Sequence, residues 1–259
     1  MSIRFGVCTS VENAALIKEA GYDYLEYSFQ NLVRMSEEEF LVFCTELETA
    51  GLKAEAFNGF FPASISLTGE NVDMEQIAAH AGKGFSRASR VGGKIAVLGS
   101  GAARRIPEGF DRDTAYRQFM EVLDLCGTIA GKYGMEVALE PLNTGETNLI
   151  NTVAEGMEIC RRVNNPCVKC LADFYHVFRS GETLEAVETA GTMLNHVHLA
   201  RPNADRAMPL EEDIPALRCY AESLKKCGYS GRLSLEGVFL PDFETAVRKT
   251  RRMLDVFTG

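Results

Sequence analysis

Two patterns of apolar and polar residues follow each other in turn along the chain: short apolar runs and longer segments with helical spacing. Short runs rich in β-branched and aromatic residues predict eight strands. They cover residues 4–9, 22–28, 53–58, 94–99, 136–140, 168–173, 196–200 and 233–236. Segments with apolar residues three and four positions apart predict helices between the strands. They cover residues 11–20, 37–50, 114–133, 153–163, 182–189, 214–226 and 242–257.

This alternation of strands and helices predicts an α/β fold with a parallel sheet, because parallel strands need crossover connections. Eight such units match a (β/α)₈ TIM barrel. A doubly wound open sheet is the main alternative, but the turn after the first strand lacks the GxGxxG pattern of dinucleotide-binding sheets. No linker or low-complexity segment divides the chain, so residues 1–259 are predicted to form a single TIM-barrel domain.

Two long irregular stretches, residues 60–73 and 100–113, each follow a predicted strand. In a barrel they would lie at the face formed by the carboxyl ends of the strands, where active sites occur. The first stretch begins with Phe60 and Phe61. Two exposed phenylalanines on a loop would pack on a substrate or on a neighbouring subunit, and we expect one of these contacts.

Composition narrows the classes of function. The chain has 27 Lys+Arg and 36 Asp+Glu, a formal net charge of −9, which disfavours a nucleic-acid partner. No apolar run approaches the ~20 residues of a membrane span, and the first residues carry no signal-peptide pattern, so we expect a cytoplasmic protein without a membrane partner. Its eight cysteines are predicted to be reduced; Cys167 and Cys170 form a CxxC pair that lacks a second pair for zinc.

Side chains able to bind a metal end four successive predicted strands. Glu140 ends the fifth strand, Asp173 the sixth and Glu236 the eighth, whereas the seventh contains His196 and His198. In a barrel these groups converge at one mouth, and burying them together needs a shared counter-ion. Three carboxylates and an imidazole favour Mn²⁺, Mg²⁺ or Co²⁺ over a thiolate zinc site. The two histidines point to the same side of their strand, and only one of them needs to be a ligand.

Each of these residues also has a purely structural interpretation. Glu140 or Asp173 alone could cap the helix that follows its strand, and Glu236 could be an ion-pair partner at the barrel mouth. Glu26, which closes the second predicted strand, is either a mouth residue or a member of a structural ion pair. A residue type that can bind a metal at each of four successive strand ends, taken together, indicates a metal site.

The sequence around these strand ends resembles a known family. The four motifs are Glu140-Pro-Leu-Asn143, Asp173-Phe-Tyr-His176, His196-Val-His198 and Ser234-Leu-Glu236-Gly237. In this order and spacing they resemble the sugar isomerase/epimerase family with a xylose-isomerase-like barrel. That family includes ketose 3-epimerases, hydroxypyruvate isomerases and inosose dehydratases.

The resemblance implies a site and an activity. One divalent metal, Mn²⁺ in preference to Mg²⁺ or Co²⁺, would be held by the side chains of Glu140, Asp173, His198 and Glu236. The same two glutamates, Glu140 and Glu236, would be catalytic and exchange protons with a sugar through an enediolate. Glu146 and His176 would bind the substrate. By resemblance the protein would also be a homo-oligomer, a dimer or a tetramer.

One departure from the ketose 3-epimerase pattern concerns an arginine. That subgroup has an arginine six residues beyond the ligand histidine, where this chain has Ala204. Arg201 and Arg206 flank the position, and we assign the substrate contact to Arg201. The resulting hypothesis is a metal-dependent sugar epimerase or isomerase of the ketose 3-epimerase type. Alternatives are a hydroxypyruvate isomerase, an inosose-type dehydratase, or an inactive barrel used as a binding module. An endonuclease IV-like activity is disfavoured by four histidines and a negative net charge.

Overall fold

Eight parallel strands close into a barrel in a computed structural model that describes residues 3–203 and 205–258. The strands are β1 (Arg4–Cys8), β2 (Tyr24–Ser28), β3 (Ala54–Asn58), β4 (Ile95–Leu98), β5 (Glu136–Leu139), β6 (Val168–Asp173), β7 (Leu194–Leu199) and β8 (Arg232–Leu235). They pair in chain order, and β1 closes the barrel against β8 with Phe5 opposite Leu233. The predicted (β/α)₈ fold is confirmed.

Helices surround the barrel. The described residues form α1 (Ala14–Glu19), α2 (Phe29–Arg34), α3 (Glu37–Ala50), α4 (Met74–Arg90), α5 (Arg112–Lys132), α6 (Val153–Val163), α7 (Phe174–Arg179), α8 (Glu185–Glu188), α9 (Ile214–Cys227) and α10 (Phe243–Met253). Short 3₁₀ turns cover Val11–Asn13, Gly191–Met193, Glu211–Asp213 and Leu254–Phe257. The sequence shows why α3 has sharp ends: Ser36 and Glu39 form a capping box, and Gly51 takes the left-handed conformation at its end.

The helices account for most differences from the sequence prediction. The pattern did not resolve α2 and α7, which have six residues each and directly follow strands. The helix predicted over residues 182–189 shortens to α8, because the Glu182 carboxylate accepts hydrogen bonds from the backbone N–H groups of Val153 and Ala154. Glu182 therefore caps α6 instead of starting a helix of its own.

The barrel interior has layers along its axis. Its middle is filled by the buried side chains of Tyr24, Ala56, Ile95, Val97, Ala138 and Leu171. At the amino end of the strands, Glu55 forms ion pairs with Arg4 and Arg232. Since successive residues on a strand face opposite sides, β6 directs Leu171 and Asp173 inward, and the carboxylate reaches the opposite, carboxyl-end mouth. This arrangement places the polar strand ends above a packed apolar layer.

The loop after β3 corrects one prediction. Phe60 and Phe61 are not exposed; they are 0% and 3% accessible, respectively. Phe60 stacks on Phe29 with 4.2 Å between ring centroids and meets Phe85 edge-on, and His80 donates a hydrogen bond from Nε2 to the Phe60 carbonyl oxygen. Both phenylalanines thus belong to the packing between the loop, α2 and α4, because that cluster removes their apolar surface from water.

Two further sequence expectations concern thiols and membranes. All eight cysteines are free thiols, including Cys167 and Cys170 of the CxxC pair. Among the described residues, every helix falls short of the length or the apolar character that crossing a bilayer requires.

Candidate functional site

Four side chains of types that can bind a metal come from successive strands and meet at the carboxyl-end mouth of the barrel. Glu140 and Glu236 come directly after β5 and β8, Asp173 ends β6, and His198 lies in β7. One potential ligand atom from each lies within 4.8 Å of those from the others. Asp173, Glu140 and His198 are buried, and Glu236 is partly accessible. The structure therefore brings together the four residues that the sequence singled out as ligands.

His198 has its two ring nitrogens committed to different neighbours. Its Nδ1 lies 3.2 Å from Oε1 of Glu140 and 3.0 Å from Oε2 of Glu236. Its Nε2 lies 2.9 Å from Oε1 of Glu26. The other histidine of the strand, His196, places its Nε2 at 2.8 Å from Oε2 of Glu26. His198 thus faces the cluster, whereas His196 lies below it.

The two glutamates of the cluster have opposite electrostatic surroundings. Burial raises the pKa of the Glu140 carboxyl, and the hydrogen bond from His198 only partly offsets this. Burial also acts on Glu236, but His198 and the Arg206 guanidinium outweigh it and bring the pKa of Glu236 to about 2. Environments that separate the pKa values of two carboxyls are typical of acid–base pairs in enzymes.

Arg206 and Asn58 hold the carboxylate of Glu236. The Asn58 amide nitrogen, at the end of β3, donates to Oε1 at 2.7 Å. A single Arg206 nitrogen, Nη2, lies 2.5 Å from Oε2 of Glu236 and 2.8 Å from Oδ2 of Asp173. The guanidinium also lies over the Tyr175 ring, 4.9 Å from its centroid. Arg206 therefore fixes two carboxylates of the cluster at once.

Arg201 has a different environment from the one the sequence suggested. Its guanidinium forms ion pairs with Glu212 at 2.8 Å and with Asp213 at 3.1 Å. These contacts fasten it to the 3₁₀ turn Glu211–Asp213, so the structure does not bring Arg201 to the cluster. Ala204, at the position of the departure from the family pattern, lies outside the described residues.

His176 and Glu146 are joined through Asn143. The Asn143 backbone N–H donates to Nδ1 of His176 at 3.2 Å, and the Asn143 side-chain amide donates to Oε1 of Glu146 at 2.9 Å. Because Nδ1 accepts, the proton of the neutral ring is on Nε2. That Nε2 is buried and has no hydrogen-bond partner among the described residues. A buried donor without a partner is costly, so this nitrogen is suited to a ligand oxygen.

The donor set fits a hard divalent cation. Three carboxylates and one imidazole supply oxygen and nitrogen atoms of the type that Mn²⁺, Mg²⁺ and Co²⁺ accept. Including Glu26, four carboxylates meet at this mouth, and Arg206 is the cation that forms ion pairs with two of them. Gly99 makes room for the Glu140 carboxylate, since a Cβ at Gly99 would lie 2.2 Å from Oε2.

A cavity of about 330 Å³ opens beside Glu236, toward β1–β3. Its wall includes the side chains of Cys8, Thr9, Ser28, Asn31 and Asn58. Its polar groups are hydroxyls, amides and the carboxylates of Glu26 and Glu236, and its described residues include no lysine or arginine. A larger groove of about 620 Å³ lies between α2 and α3, but it contains none of the cluster residues. The smaller cavity is therefore the one we associate with the site.

Several residues of the site were not identified from the sequence. The sequence allows Glu26 to be either a residue of the barrel mouth or a member of a structural ion pair. It offers Arg206 only as an alternative to Arg201 for the substrate contact, and it assigns no role to Asn58 or Asn143. Each of the asparagines lies at or just after the end of a strand. A rule that considers every polar residue at a strand end of a barrel would have found them.

Comparison with known proteins places these observations in context. Residues 14–255 match the family model described as "Xylose isomerase-like TIM barrel". D-psicose 3-epimerase of Ruminiclostridium cellulolyticum is 30% identical over 127 residues, 49% of this chain and 42% of the relative. D-psicose 3-epimerase of Agrobacterium fabrum is 24% identical over 229 residues, 85% of this chain and 76% of the relative.

A solved structure gives the same fold. D-psicose 3-epimerase from Clostridium cellulolyticum H10, determined with D-tagatose, superposes with a TM-score of 0.84 at 20% identity. The superposition covers 99% of this chain and 98% of that structure. In contrast, the sequence match to the R. cellulolyticum relative spans less than half of that relative's length.

Proposed function

Since the chain belongs to the xylose isomerase-like TIM barrel family, we propose that it is a divalent-metal-dependent sugar epimerase or isomerase of the ketose 3-epimerase type. The observation that carries this proposal is the cluster of Glu140, Asp173, His198 and Glu236 at one barrel mouth. The similarity to two D-psicose 3-epimerases supports the choice of a ketose as substrate.

The metal would be held by those four side chains, with Mn²⁺ the first choice and Mg²⁺ or Co²⁺ the alternatives. When bound, such a cation would supply Lewis acidity that polarises a ketose carbonyl and makes the neighbouring C–H more acidic. Asp173 has no proposed part in proton transfer, so its role would be that of a ligand.

The proton transfers would fall to Glu140 and Glu236. One carboxylate removes the proton from the carbon next to the carbonyl, and the electron pair of that C–H bond forms an enediolate. The other, as a carboxylic acid, returns a proton to the opposite face of the same carbon, which gives the epimer. If the proton is instead removed from the terminal hydroxyl-bearing carbon and a proton is returned to the former carbonyl carbon, the hydroxyl proton moves to the former carbonyl oxygen and the ketose becomes an aldose. The separated pKa values of Glu140 and Glu236 suit one acid and one base.

Substrate binding would use the groups that surround the cluster. His176 offers its Nε2–H, and Glu146 offers a carboxylate oxygen on the same side. Arg206, already against Asp173 and Glu236, is better placed than Arg201 for the arginine contact of the family. The cavity beside Glu236 would take the remaining hydroxyl groups, and its lining favours an unphosphorylated sugar.

The decisive experiment is a substrate panel with purified protein and Mn²⁺. Ketoses, aldoses, hydroxypyruvate and inososes are incubated in D₂O, and products are identified by NMR. Epimerisation of a ketose with deuterium at the epimerised carbon supports the proposal. Turnover of hydroxypyruvate or an inosose alone would favour the isomerase or dehydratase alternative. Tight sugar binding without turnover would indicate a binding module.

Other parts of the proposal rest on the sequence. A dimeric or tetrameric assembly comes from the resemblance to the family. The cytoplasmic location and the absence of nucleic-acid and membrane partners come from the charge and apolar pattern, and one TIM-barrel domain over residues 1–259 comes from the lack of a linker. Light scattering of the purified protein measures the first of these directly.

A further inference from the structure

Glu26 is a buried carboxylate outside the set of four proposed ligands. It lies in β2, three strands around the barrel from β7, and its side chain is fully buried. Its two oxygens meet Nε2 of His196 at 2.8 Å and Nε2 of His198 at 2.9 Å. A carboxylate without a proton only accepts hydrogen bonds, so both histidines must carry a proton on Nε2.

This arrangement determines which nitrogen of His198 faces the cluster. Because Glu26 keeps a proton on Nε2, Nδ1 is the nitrogen left for the cluster, and it is the atom directed at Glu140 and Glu236. Without a cation these carboxylates accept a hydrogen bond from Nδ1, and a bound cation would take the place of that proton. Each oxygen of Glu26 accepts from one of these Nε2–H groups, so both oxygens are committed to the two histidines. We propose that Glu26 is a positioning residue that fixes the Nε2–H tautomer of His198 and thereby presents Nδ1 to the metal ion.

His196 completes this contact. Its Nε2–H donates to Oε2 of Glu26 at 2.8 Å. Its Nδ1 has no hydrogen-bond partner among the described residues. His196 would thus hold the second oxygen of Glu26, so that the first oxygen stays on His198. Partners of this kind typically contribute about 10- to 100-fold to the metal affinity of a site.

The inference rests on the proposed function, because it assumes that a cation binds at the cluster. The test measures Mn²⁺ binding to metal-stripped protein by calorimetry, for the wild type, Glu26→Gln and Glu26→Met. Methionine has a similar length but no acceptor, and we expect its Kd to rise about 100-fold. Glutamine keeps one acceptor but loses the charge, and we expect a rise of about 10-fold. Glu55→Gln is the matched control: Glu55 is also a buried glutamate with one partner on each oxygen, here Arg4 and Arg232, but it lies at the other end of the barrel.

A spectroscopic measurement tests the tautomer directly. In the wild type saturated with diamagnetic Zn²⁺, ¹⁵N NMR should show that His198 carries its proton on Nε2. In Glu26→Gln the amide has one acceptor and one donor, so His198 keeps Nε2–H only if His196 moves its proton to the unpartnered Nδ1. A switch of the His196 tautomer in this variant is therefore expected.

The outcomes separate the two claims. Wild-type protein that binds no Mn²⁺ would overturn the proposed function and this inference together. If the wild type binds Mn²⁺ and both Glu26 variants bind it with the same Kd as the wild type, this inference alone is overturned. If the variants do not fold, a wild-type spectrum with the His198 proton on Nδ1 would overturn it as well.

Discussion

The backbone carbonyl oxygen of Arg206 lies 2.1 Å from the position that a Cβ atom on Gly237 would occupy. The same oxygen accepts a hydrogen bond from the N–H of Val238 at 2.8 Å. The loop that carries Arg206 therefore rests directly on the chain that follows Glu236, and only a glycine at position 237 permits this approach.

Gly237→Ala should displace Arg206 from Glu236. Because a shift of about 1 Å at a site can reduce a rate about 10²-fold, we expect a loss of this order in kcat/KM for the ketose substrate. Gly82→Ala is the control, since Gly82 lies in α4 with no atom within 4 Å of its Cβ position, and alanine there should leave kinetics unchanged. If Gly237→Ala has the same kcat/KM as Gly82→Ala, the position of Arg206 is unimportant for turnover.

Glu140→Gln and Glu236→Gln should each abolish proton exchange. A glutamine keeps the shape of the side chain but neither removes nor donates the proton, and general acid–base groups contribute about 10²–10⁴-fold. The measurement is deuterium incorporation next to the substrate carbonyl in D₂O, with circular dichroism as the check on folding. Full activity in either variant would exclude the two-glutamate mechanism.

Replacement of Arg206 and replacement of Arg201, the two arginines that flank Ala204, should have different effects on kcat/KM. Arg206→Gln removes the guanidinium that holds Asp173 and Glu236, so we expect kcat/KM to fall at least about tenfold. Arg201→Gln breaks ion pairs with Glu212 and Asp213, and its main expected effect is on the stability of that loop. If Arg201→Gln raises KM and Arg206→Gln does not, the assignment of the substrate contact to Arg201 is correct.

Glu140→Gln should also stabilise the metal-free protein at neutral pH. Burial raises the folded-state pKa of Glu140 above its unfolded value, so its contribution to stability is full below the unfolded pKa, about 4.3, and is lost as pH rises through the folded pKa. Glutamine does not titrate and resembles the protonated form. The Tm of the chelator-treated variant should therefore exceed that of the wild type by a few degrees near pH 7 and by less near pH 4. A difference that is constant with pH would contradict the raised pKa.

The fold could be predicted because the strand signal is local. All eight predicted strands overlap the observed ones, since each apolar run is buried on both faces of the parallel sheet. The short helices α2 and α7 were not predicted because six residues give less than two turns of the pattern. The sequence predicts that Phe60 and Phe61 contact a substrate or a neighbouring subunit, because their loop has no periodicity. Their burial instead depends on Phe29 and Phe85 elsewhere in the chain.

The candidate site likewise contains residues that the sequence identifies and residues that it does not. Glu140, Asp173 and Glu236 follow a repeating position at strand ends, so spacing identified them. The choice of His198 over His196 came from the resemblance to the family. The choice between Arg201 and Arg206 depends on side-chain partners within an irregular loop, and the role of Glu26 depends on a contact across the barrel. Sequence spacing carries no information about either contact.

The hydrogen bonds across the mouth have a consequence for folding kinetics. Glu26 and His196 are 170 residues apart in the chain, and Asn58 and Glu236 are 178 apart. Contacts between residues so far apart in the sequence form only when the two ends of the chain have come together. The pairing of β1 with β8 has the same requirement. A nascent or truncated chain that lacks β7 and β8 would have most of its strands but only half of the ligand set. Acquisition of the cation would then report the last stage of barrel closure.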